Sequence, residues 1–373
     1  MKKMMTDESS AKNNSTTVVV GLSGGVDSSV VALLLKNQGY HVVGLHMKTE
    51  NAETSAEDES RVRKLCEKLG IECHVVNYAD EMQKVKDYFV QEYLSGRTPN
   101  PCVVCNREVK FKPFIDYAEK IGADFFATGH YARVLHENDS HVLLTAVDSN
   151  KDQTYFLCKL SEKQLSKALF PLGALTKPEV KQIAEQNDLV PKDQKESYDV
   201  CFLGSQKFKD FMNQNYPEKS GDIVDEKTNK KVGSHTGISK YTIGQRKGLG
   251  IGGGHGESGE CWFVTKKDIK NNVLYVAQGN DDVLYSDALI SHDFNWIPSK
   301  PNKTVLECYA KFRYRQGYQK VLVELNDAGD VFVKFYEKQR AVTTGQYVVL
   351  YSAYGNGYTC LGGGTIDEVI KNS

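Results

Sequence analysis

The 373-residue sequence predicts an α/β protein in three parts: a parallel-sheet domain over residues 16–205, a small α+β central domain over 206–287 and a C-terminal β-barrel over 288–373. Three observations carry that prediction. Between residues 16 and 129 short β-branched runs alternate with amphipathic stretches; after about residue 205 the chain becomes rich in glycine and turn formers; from about Ala288 short alternating strands recur. The length agrees, since ~100–200 residues per domain divides this chain into two or three.

Taken in order, TTVVVGL (16–22), HVVGLHMK (41–48), ECHVVNY (72–78) and ADFFATG (123–129) read as buried strands. The stretches between them, VDSSVVALLLKNQG, SRVRKLCEKLG and NREVKFKPFIDYAEKIG, carry helical apolar spacing and end in glycine where a C-cap belongs. Strand and helix in alternation imply a parallel sheet with crossover helices, which takes its ligands beyond the carboxyl ends of the strands. EKTNKKVGSHTG and YTIGQRKGLGIGGGHGESGE mark the central domain, and KTVLECYAKFRY, KVLVEL, DVFVKFY and GQYVVLYS the strands of the barrel. The chain has no solenoid-type repeat.

Bulk properties exclude several classes. Hydrophobic residues at 40% and charged residues at 25% are ordinary globular values. No apolar run approaches the ~18 residues of a membrane span. The leader MKKMMTDESSAKNNS lacks a signal core and reads as disordered, so the nine cysteines are expected as reduced thiols of a cytoplasmic protein. A net charge of −1 gives no composition-level attraction to nucleic acid, and any such contact must come from local patches.

The sharpest local signal is SGGVDSS at 23–29, placed directly after a strand and opening a helix. Gly24 and Gly25 let backbone N–H groups approach an anion, Ser23 and Ser28 add hydroxyls, and the helix N-terminus supplies a partial positive charge. Asp27 beside a phosphate site is expected to act through a bridging Mg²⁺. No GxxxxGK[ST] is present, so this is not a Walker loop. SGGxDS instead resembles the signature of the PP-loop ATP pyrophosphatases, which implies ATP cleavage between the α and β phosphates and adenylation of an oxygen. His46, Met47, Gly129 and His130, at strand ends, fall where the nucleotide lies in such a sheet.

Three cysteines stand out by context: Cys102 and Cys105 in GRTPNPCVVCN, and Cys201 in KESYDVCFLG. A helix expected to start at Asn106 places Cys105 at its N-terminus, where a thiolate is favoured. The other six, Cys66, Cys73, Cys158, Cys261, Cys308 and Cys360, read as small core residues. Three thiolates suit either a reactive pair with a neighbour or three corners of a 4Fe-4S cluster with one open iron; a zinc site would recruit His130 or His74 as a fourth ligand.

GLSGGVDSS, GRTPNPCVVCNREVKF, ATGHYAR, DSNKDQTYFL, KESYDVCFLG, YTIGQRKGLGIGGG, FRYRQ and CLGGGTI together, in this order, resemble the bacterial tRNA-specific 2-thiouridylase family. The resemblance implies adenylation of the 2-carbonyl oxygen of wobble uridine 34 in the tRNAs for Lys, Glu and Gln, then sulfur insertion. It implies a persulfide on Cys201, with Cys105 as partner nucleophile and a cysteine desulfurase or sulfur-relay protein as donor. Gly21, Leu22, Ser23, Gly24, Gly25, Val26, Asp27, Ser28, Met47 and Gly129 would bind ATP. Asn100, Pro101 and Cys102 would face the target base, and Lys151, Asp152 and Gln153 would contact tRNA, assisted by His130, Arg313, Tyr314 and Gln346. Two departures stand out: Cys102 replaces an Asp, and SYDVCF replaces STGICF. The first keeps open a second route, with sulfide carried on a 4Fe-4S cluster held by Cys102, Cys105 and Cys201.

Residues 303–320 add five Lys or Arg against one Glu, with tyrosines interleaved. Strand alternation over this stretch puts Lys311, Arg313 and Arg315 on one face, toward RNA, and Phe312 and Tyr314 on the other, toward the barrel core. Two rival classes are an amide ligase using the same loop, which has no use for paired cysteines, and an RNA-binding module that consumes no ATP.

Overall fold

The computed structural model of the chain describes residues 13, 15–49, 53–137, 140–189, 200–203, 206, 208–251 and 260–371, with the backbone alone at 53–55, 137 and 201. Nearly all of the N-terminal leader, GGGHGESG at 252–259, most of the KESYDVCFLG segment and the side chain of Cys201 lie outside the described residues.

The first 170 residues supply β1 (Thr17–Gly21), β2 (His41–Lys48), β3 (Glu72–Asn77), β4 (Phe125–Ala127), β5 (Ala132–Glu137), β6 (Ser140–Thr145) and β7 (Ala168–Leu169). Five of them form a sheet in the order β3-β2-β1-β4-β7, every neighbouring pair parallel. Val18, Val19 and Val20 of β1 are fully buried, because helices cover both faces of the sheet. Helices Val26–Asn37, Glu53–Leu69 and Lys177–Gln186 build one core with β1, through Val30, Val62, Leu65 and Val180. The opposite face buries Val103, Phe111, Phe114 and Ile115 of a helical run over 101–120. From β1 the chain moves to β2 on one side and later returns through β4 on the other. The topological switch point therefore lies between β1 and β4, and the crevice at their carboxyl ends is where such a sheet binds its ligand.

Two local expectations are revised. Helix Ala79–Leu94 was not foreseen; it buries Met82, Val85, Phe89 and Val90. The helix expected from Asn106 starts earlier, with Asn100 as N-cap and Pro101 as its first residue, and runs through Pro101–Val104 into a π-helical segment Cys105–Phe111 and then Lys112–Lys120. Proline at the first helical position loses no hydrogen bond, so PNP starts the helix rather than interrupting it.

The central part holds helix Phe208–Asn215 and β8 (Gly221–Asp225), β9 (Lys231–His235), β10 (Trp262–Asp268) and β11 (Val273–Gln278), in the order β10-β11-β8-β9. The C-terminal part holds β12 (Tyr285–Ser291), β13 (Asn295–Trp296), β14 (Val305–Lys311), β15 (Gln319–Leu325), β16 (Val331–Arg340), β17 (Tyr347–Tyr354), β18 (Gly357–Thr365) and β19 (Glu368–Ile370). Strands β12 and β14 to β17 share one core, through Leu289, Cys308, Val321, Val333 and Leu350, so this sheet is rolled into a barrel.

The barrel is not a separate body. The β5–β6 hairpin joins its sheet, Leu143 pairing with Cys360 and Leu144 with Thr359. Tyr347, Val349 and Tyr351 belong to the same core as Phe111 and Tyr155. Asn295 Nδ2 donates to the carbonyls of Cys158 and Leu160, both at 3.0 Å, and Tyr155 Oη to that of Tyr347 at 3.0 Å. Among the described residues no helix is long and apolar enough to cross a membrane.

Candidate active site

β1 ends at Gly21, and the chain turns into helix Val26–Asn37 through Gly24, whose φ of +77° is one that L side chains rarely adopt. No side chain caps this helix, so its first N–H groups are not claimed by a capping residue. The serines brace the loop. Ser28 Oγ accepts from Ser23 N and donates to the Gly25 carbonyl, both at 3.2 Å, and Ser29 Oγ donates to the same carbonyl at 2.9 Å. Leu22 is buried, and its carbonyl accepts from His46 Nδ1 at 2.9 Å, which fixes His46 as a structural support. Val26 is half-buried at the helix start.

Gly129 follows β4 across the switch point. A Cβ there would stand 3.1 Å from Asp27 Cβ and 3.2 Å from Ser28 N, so glycine is what lets β4 close on the loop. A Cβ at Gly21 would meet the Phe114 ring at 2.4 Å.

The carboxylate of Asp27 meets a residue the sequence reading did not single out. Lys177 Nζ donates to Asp27 Oδ1 at 2.7 Å and Oδ2 at 2.9 Å, and Tyr131 Oη donates to Oδ1 at 3.0 Å. Lys177 is 8% exposed and is the first residue of helix Lys177–Gln186, whose start is fixed by a Thr176–Glu179 capping box. Its backbone N–H donates to Asp148 Oδ2 at 3.0 Å. Asp27 thus has a resident counter-ion, and its place beside a phosphate loop does not by itself require a metal. A second layer holds Tyr131: its N–H donates to Gln153 Oε1 at 2.9 Å, and its carbonyl accepts from Gln153 N at 2.8 Å. Asp152 is buried, accepting from Ala146 N at 2.9 Å and Thr154 Oγ1 at 2.7 Å, and burial raises its carboxyl above the usual range. Lys151 is half-buried beside it. His130 is 9% exposed, with Nδ1 2.8 Å from Thr128 Oγ1 and its ring against Phe111 and Phe170. Burial, and the Lys110 charge, hold its imidazole well below the usual range.

The cysteine loop is docked on the barrel. Gln346 Nε2 donates to the carbonyls of Thr98 (2.9 Å) and Pro99 (3.2 Å), Thr98 N donates to the Thr344 carbonyl at 2.9 Å, and Arg97 pairs with Asp367 at 3.0 Å. The helix start at Pro101 leaves Cys102, half-buried, in the first turn and moves Cys105 into the second; the expectation of Cys105 at a helix N-terminus is corrected. Cys105 is 5% exposed in an apolar cluster with Met82, Val85 and Val109, against which Met47, Val104 and Phe202 pack. Phe202 also meets the Phe89 ring at 5.3 Å, so the short helical turn that begins at Cys201 is anchored beside Cys105. Asn106 Nδ2 donates to the Phe156 carbonyl at 3.1 Å.

Of the remaining thiols, Cys66, Cys158, Cys308 and Cys360 are buried as expected, and burial pushes Cys66, Cys308 and Cys360 up to about 12. Cys261 is exposed, against expectation. His74 is engaged by Tyr117 and, at 3.2 Å, by Glu72. Among the described residues no three His, Cys, Asp or Glu side chains are grouped to hold a metal.

The basic row of the barrel is also revised. β14 stops at Lys311, because Phe312 N donates to Gln316 Oε1 (3.0 Å) and the Arg313 carbonyl accepts from Gln316 N (3.1 Å), closing a turn. Strand alternation therefore ends there. Lys311 is 9% exposed over the Tyr314 and Tyr318 rings, Arg313 donates to the carbonyls of Ile243 (3.0 Å) and Ala341 (2.6 Å), and only Arg315 is exposed. Phe312 does face the barrel core, whereas Tyr314 packs on Phe156 at 4.3 Å.

A parallel sheet with a glycine-rich SGGVDSS turn at its switch point defines an ATP-using protein of the PP-loop class. The families described as tRNA methyl transferase HUP domain, PRC-barrel domain and aminomethyltransferase beta-barrel domain match residues 16–205, 209–278 and 286–366. Proteins called tRNA-specific 2-thiouridylase MnmA from Alkaliphilus oremlandii and Staphylococcus aureus are each 50% identical to this chain, over 94% and 95% of it and 97% and 95% of their own lengths. The chain belongs to the tRNA-specific 2-thiouridylase (MnmA) family.

Proposed function

We propose that this protein is a tRNA-uridine 2-sulfurtransferase that uses ATP to replace the 2-carbonyl oxygen of uridine 34 by sulfur. A uracil carbonyl resists displacement because its oxygen leaves badly. Attack of that oxygen on the α-phosphorus of ATP expels pyrophosphate and makes the oxygen part of AMP, a good leaving group. The uncapped N–H groups after Gly25 and the ammonium of Lys177 are the donors for the phosphates. The carboxylate of Asp27 suits Mg²⁺, which would screen phosphate charge there.

Sulfur comes from a persulfide on Cys201. The Cys105 thiolate attacks the Cys201 sulfur, forming the Cys105–Cys201 disulfide and releasing hydrosulfide; hydrosulfide adds to the activated C2 and AMP leaves. A thiol reductant reopens the disulfide, and a cysteine desulfurase or relay protein reloads Cys201. The observation that carries this reading is Phe202 packed into the apolar cluster that buries Cys105, which ties the Cys201 turn to the helical run beside the ATP crevice. Asn100, Pro101 and Cys102 would receive the base, with Lys151, Tyr314, Arg315 and Gln346 at the RNA surface, in the cytoplasm, on the tRNAs for Lys, Glu and Gln. The alternative is the same reaction with sulfide on a 4Fe-4S cluster held by Cys102, Cys105 and Cys201; the CxxC spacing within one helical run favours it.

The test incubates the protein with ATP, Mg²⁺, unmodified tRNA and either sulfide or a desulfurase with cysteine. AMP, pyrophosphate and 2-thiouridine in equal amounts are expected, and hydrolysis of ATP without thiouridine would sink the reading. Iron analysis after anaerobic purification separates the routes: an iron-free, fully active protein eliminates the cluster.

A further inference from the structure

Three segments meet beside Asp27: Tyr131 with Ala132 at the start of β5, a turn over 147–153 after β6, and the stretch 173–177 that leads into helix Lys177–Gln186. Val147 N donates to the Gly173 carbonyl at 2.9 Å, and a Cβ at Gly173 would collide with the Ala132 carbonyl, so glycine lets the segments touch. Asp148 closes the turn on itself. Its Oδ1 accepts from Asn150 N and its carbonyl from Lys151 N, both at 3.1 Å. Its other carboxylate oxygen leaves the turn and accepts from Lys177 N at 3.0 Å. At the far end of the turn, Gln153 holds Tyr131 by two hydrogen bonds, at 2.8 and 2.9 Å.

The two ends of one turn therefore hold the two partners of Asp27. Lys177 Nζ donates to both of its carboxylate oxygens and Tyr131 Oη to one of them, at 3.0 Å. A lysine reaches through a flexible four-carbon stem, so the place of its ammonium depends on how firmly the backbone beneath it is fixed. Asp148 supplies that fixing with a charge-assisted hydrogen bond at a helix start, where an acid is favoured. The Thr176–Glu179 capping box already starts the helix, so what Asp148 adds is the tie between helix and turn. Ser149 and Asn150, on the turn, are exposed and open to a ligand.

We infer that Asp148 is a positioning residue for the adenylation step: RNA seated on the 148–153 turn fixes Lys177 and Tyr131 around Asp27, so that RNA and ATP each tighten the binding of the other. This rests on the function proposed above and adds a physical link between its two substrates. The ligand that binds first fixes the shared frame, and the second meets donors already placed. Linkage then requires the same factor in both directions.

The experiment measures unmodified tRNA binding by fluorescence anisotropy with and without saturating α,β-methylene-ATP, and binding of that analogue by calorimetry with and without tRNA. Wild type is expected to show a mutual tightening of about fivefold or more, equal in the two measurements. Asp148→Ala should reduce the factor to less than about twofold, and Asp148→Asn, which keeps one side-chain oxygen, should recover part of it. Tyr131→Phe, which removes only the hydroxyl on Asp27, should also lower it and keeps the test open if Asp148→Ala fails to fold. Were Asp148 a helix cap alone, its loss would lower the thermal midpoint and leave the ratio of dissociation constants unchanged. A wild-type factor in folded Asp148→Ala and Tyr131→Phe would overturn the proposal. So would wild-type protein that binds both ligands with no effect of one on the other. Wild-type protein that binds no tRNA, or no analogue, would instead overturn the proposed function itself.

Discussion

Lys177 holds both carboxylate oxygens of Asp27, at 2.7 and 2.9 Å, although 150 residues separate the two in sequence. The pair joins the first turns of two helices whose N-termini face one crevice. An acid is favoured at such an end and a cation is not, so Asp27 is what makes Lys177 tolerable there. In the proposed reaction, Lys177 is the cation already in place for the triphosphate.

Lys177→Met is therefore expected to cut pyrophosphate release by about 100-fold or more. Breaking a well-buried pair costs ~3–5 kcal/mol. Asp27 remains 35% exposed, and its solvation lowers the expected loss to about 1–2 kcal/mol in urea unfolding. Wild-type pyrophosphate release from a folded Lys177→Met protein would remove Lys177 from the phosphate site.

Gly129→Ala places a methyl 3.1 Å from Asp27 Cβ and 3.2 Å from Ser28 N, close enough to push the loop by a few tenths of an ångström. ATP affinity should fall about tenfold, which corresponds to ~1.4 kcal/mol. Calorimetric titration checks this, and an unchanged dissociation constant would mean that the switch-point contact does not shape the nucleotide site.

Burial pushes the Lys267 ammonium down to about 8, with Nζ donating to the Tyr241 carbonyl at 2.9 Å. A depressed lysine disfavours folding while it is charged. Between about pH 8 and the ordinary value of 10.5 the unfolded chain binds more protons, so stability rises with pH across that window. Lys267→Met should abolish this rise and stabilise the protein at pH 7 by at most about 3 kcal/mol. Parallel pH–stability curves for variant and wild type from pH 7 to 10 would contradict it.

Much of the fold was legible because the local signals agreed with each other. The β-branched runs of β1 to β3, the short aromatic run of β4 and the glycines after the helices between them needed no tertiary information. Helix Ala79–Leu94 was legible too, in the spacing of Met82, Val85 and Phe89, but its many charges hid that stripe. Other features lay beyond local pattern. TKPE marks a helix start at Lys177 without saying what it faces, and one of 47 basic residues carries no label. Pairing of the β5–β6 hairpin with β18 joins residues more than 200 apart. Past Lys311 the alternation of K-F-R-Y-R continues in sequence while the Gln316 hydrogen bond ends the strand, so the period alone misplaces Arg313; Lys311, still in the strand, does lie on the face opposite Ala310 and Phe312, but the Tyr314 and Tyr318 rings cover that face.

The coupling of ATP-dependent activation to thiol chemistry is tested most directly by one reaction, Cys201→Ala with ATP, Mg²⁺, a sulfur-loaded desulfurase and unmodified tRNA, read for pyrophosphate and for 2-thiouridine together. Pyrophosphate release with no 2-thiouridine is the predicted result. Wild-type yield of 2-thiouridine from that variant would contradict the account.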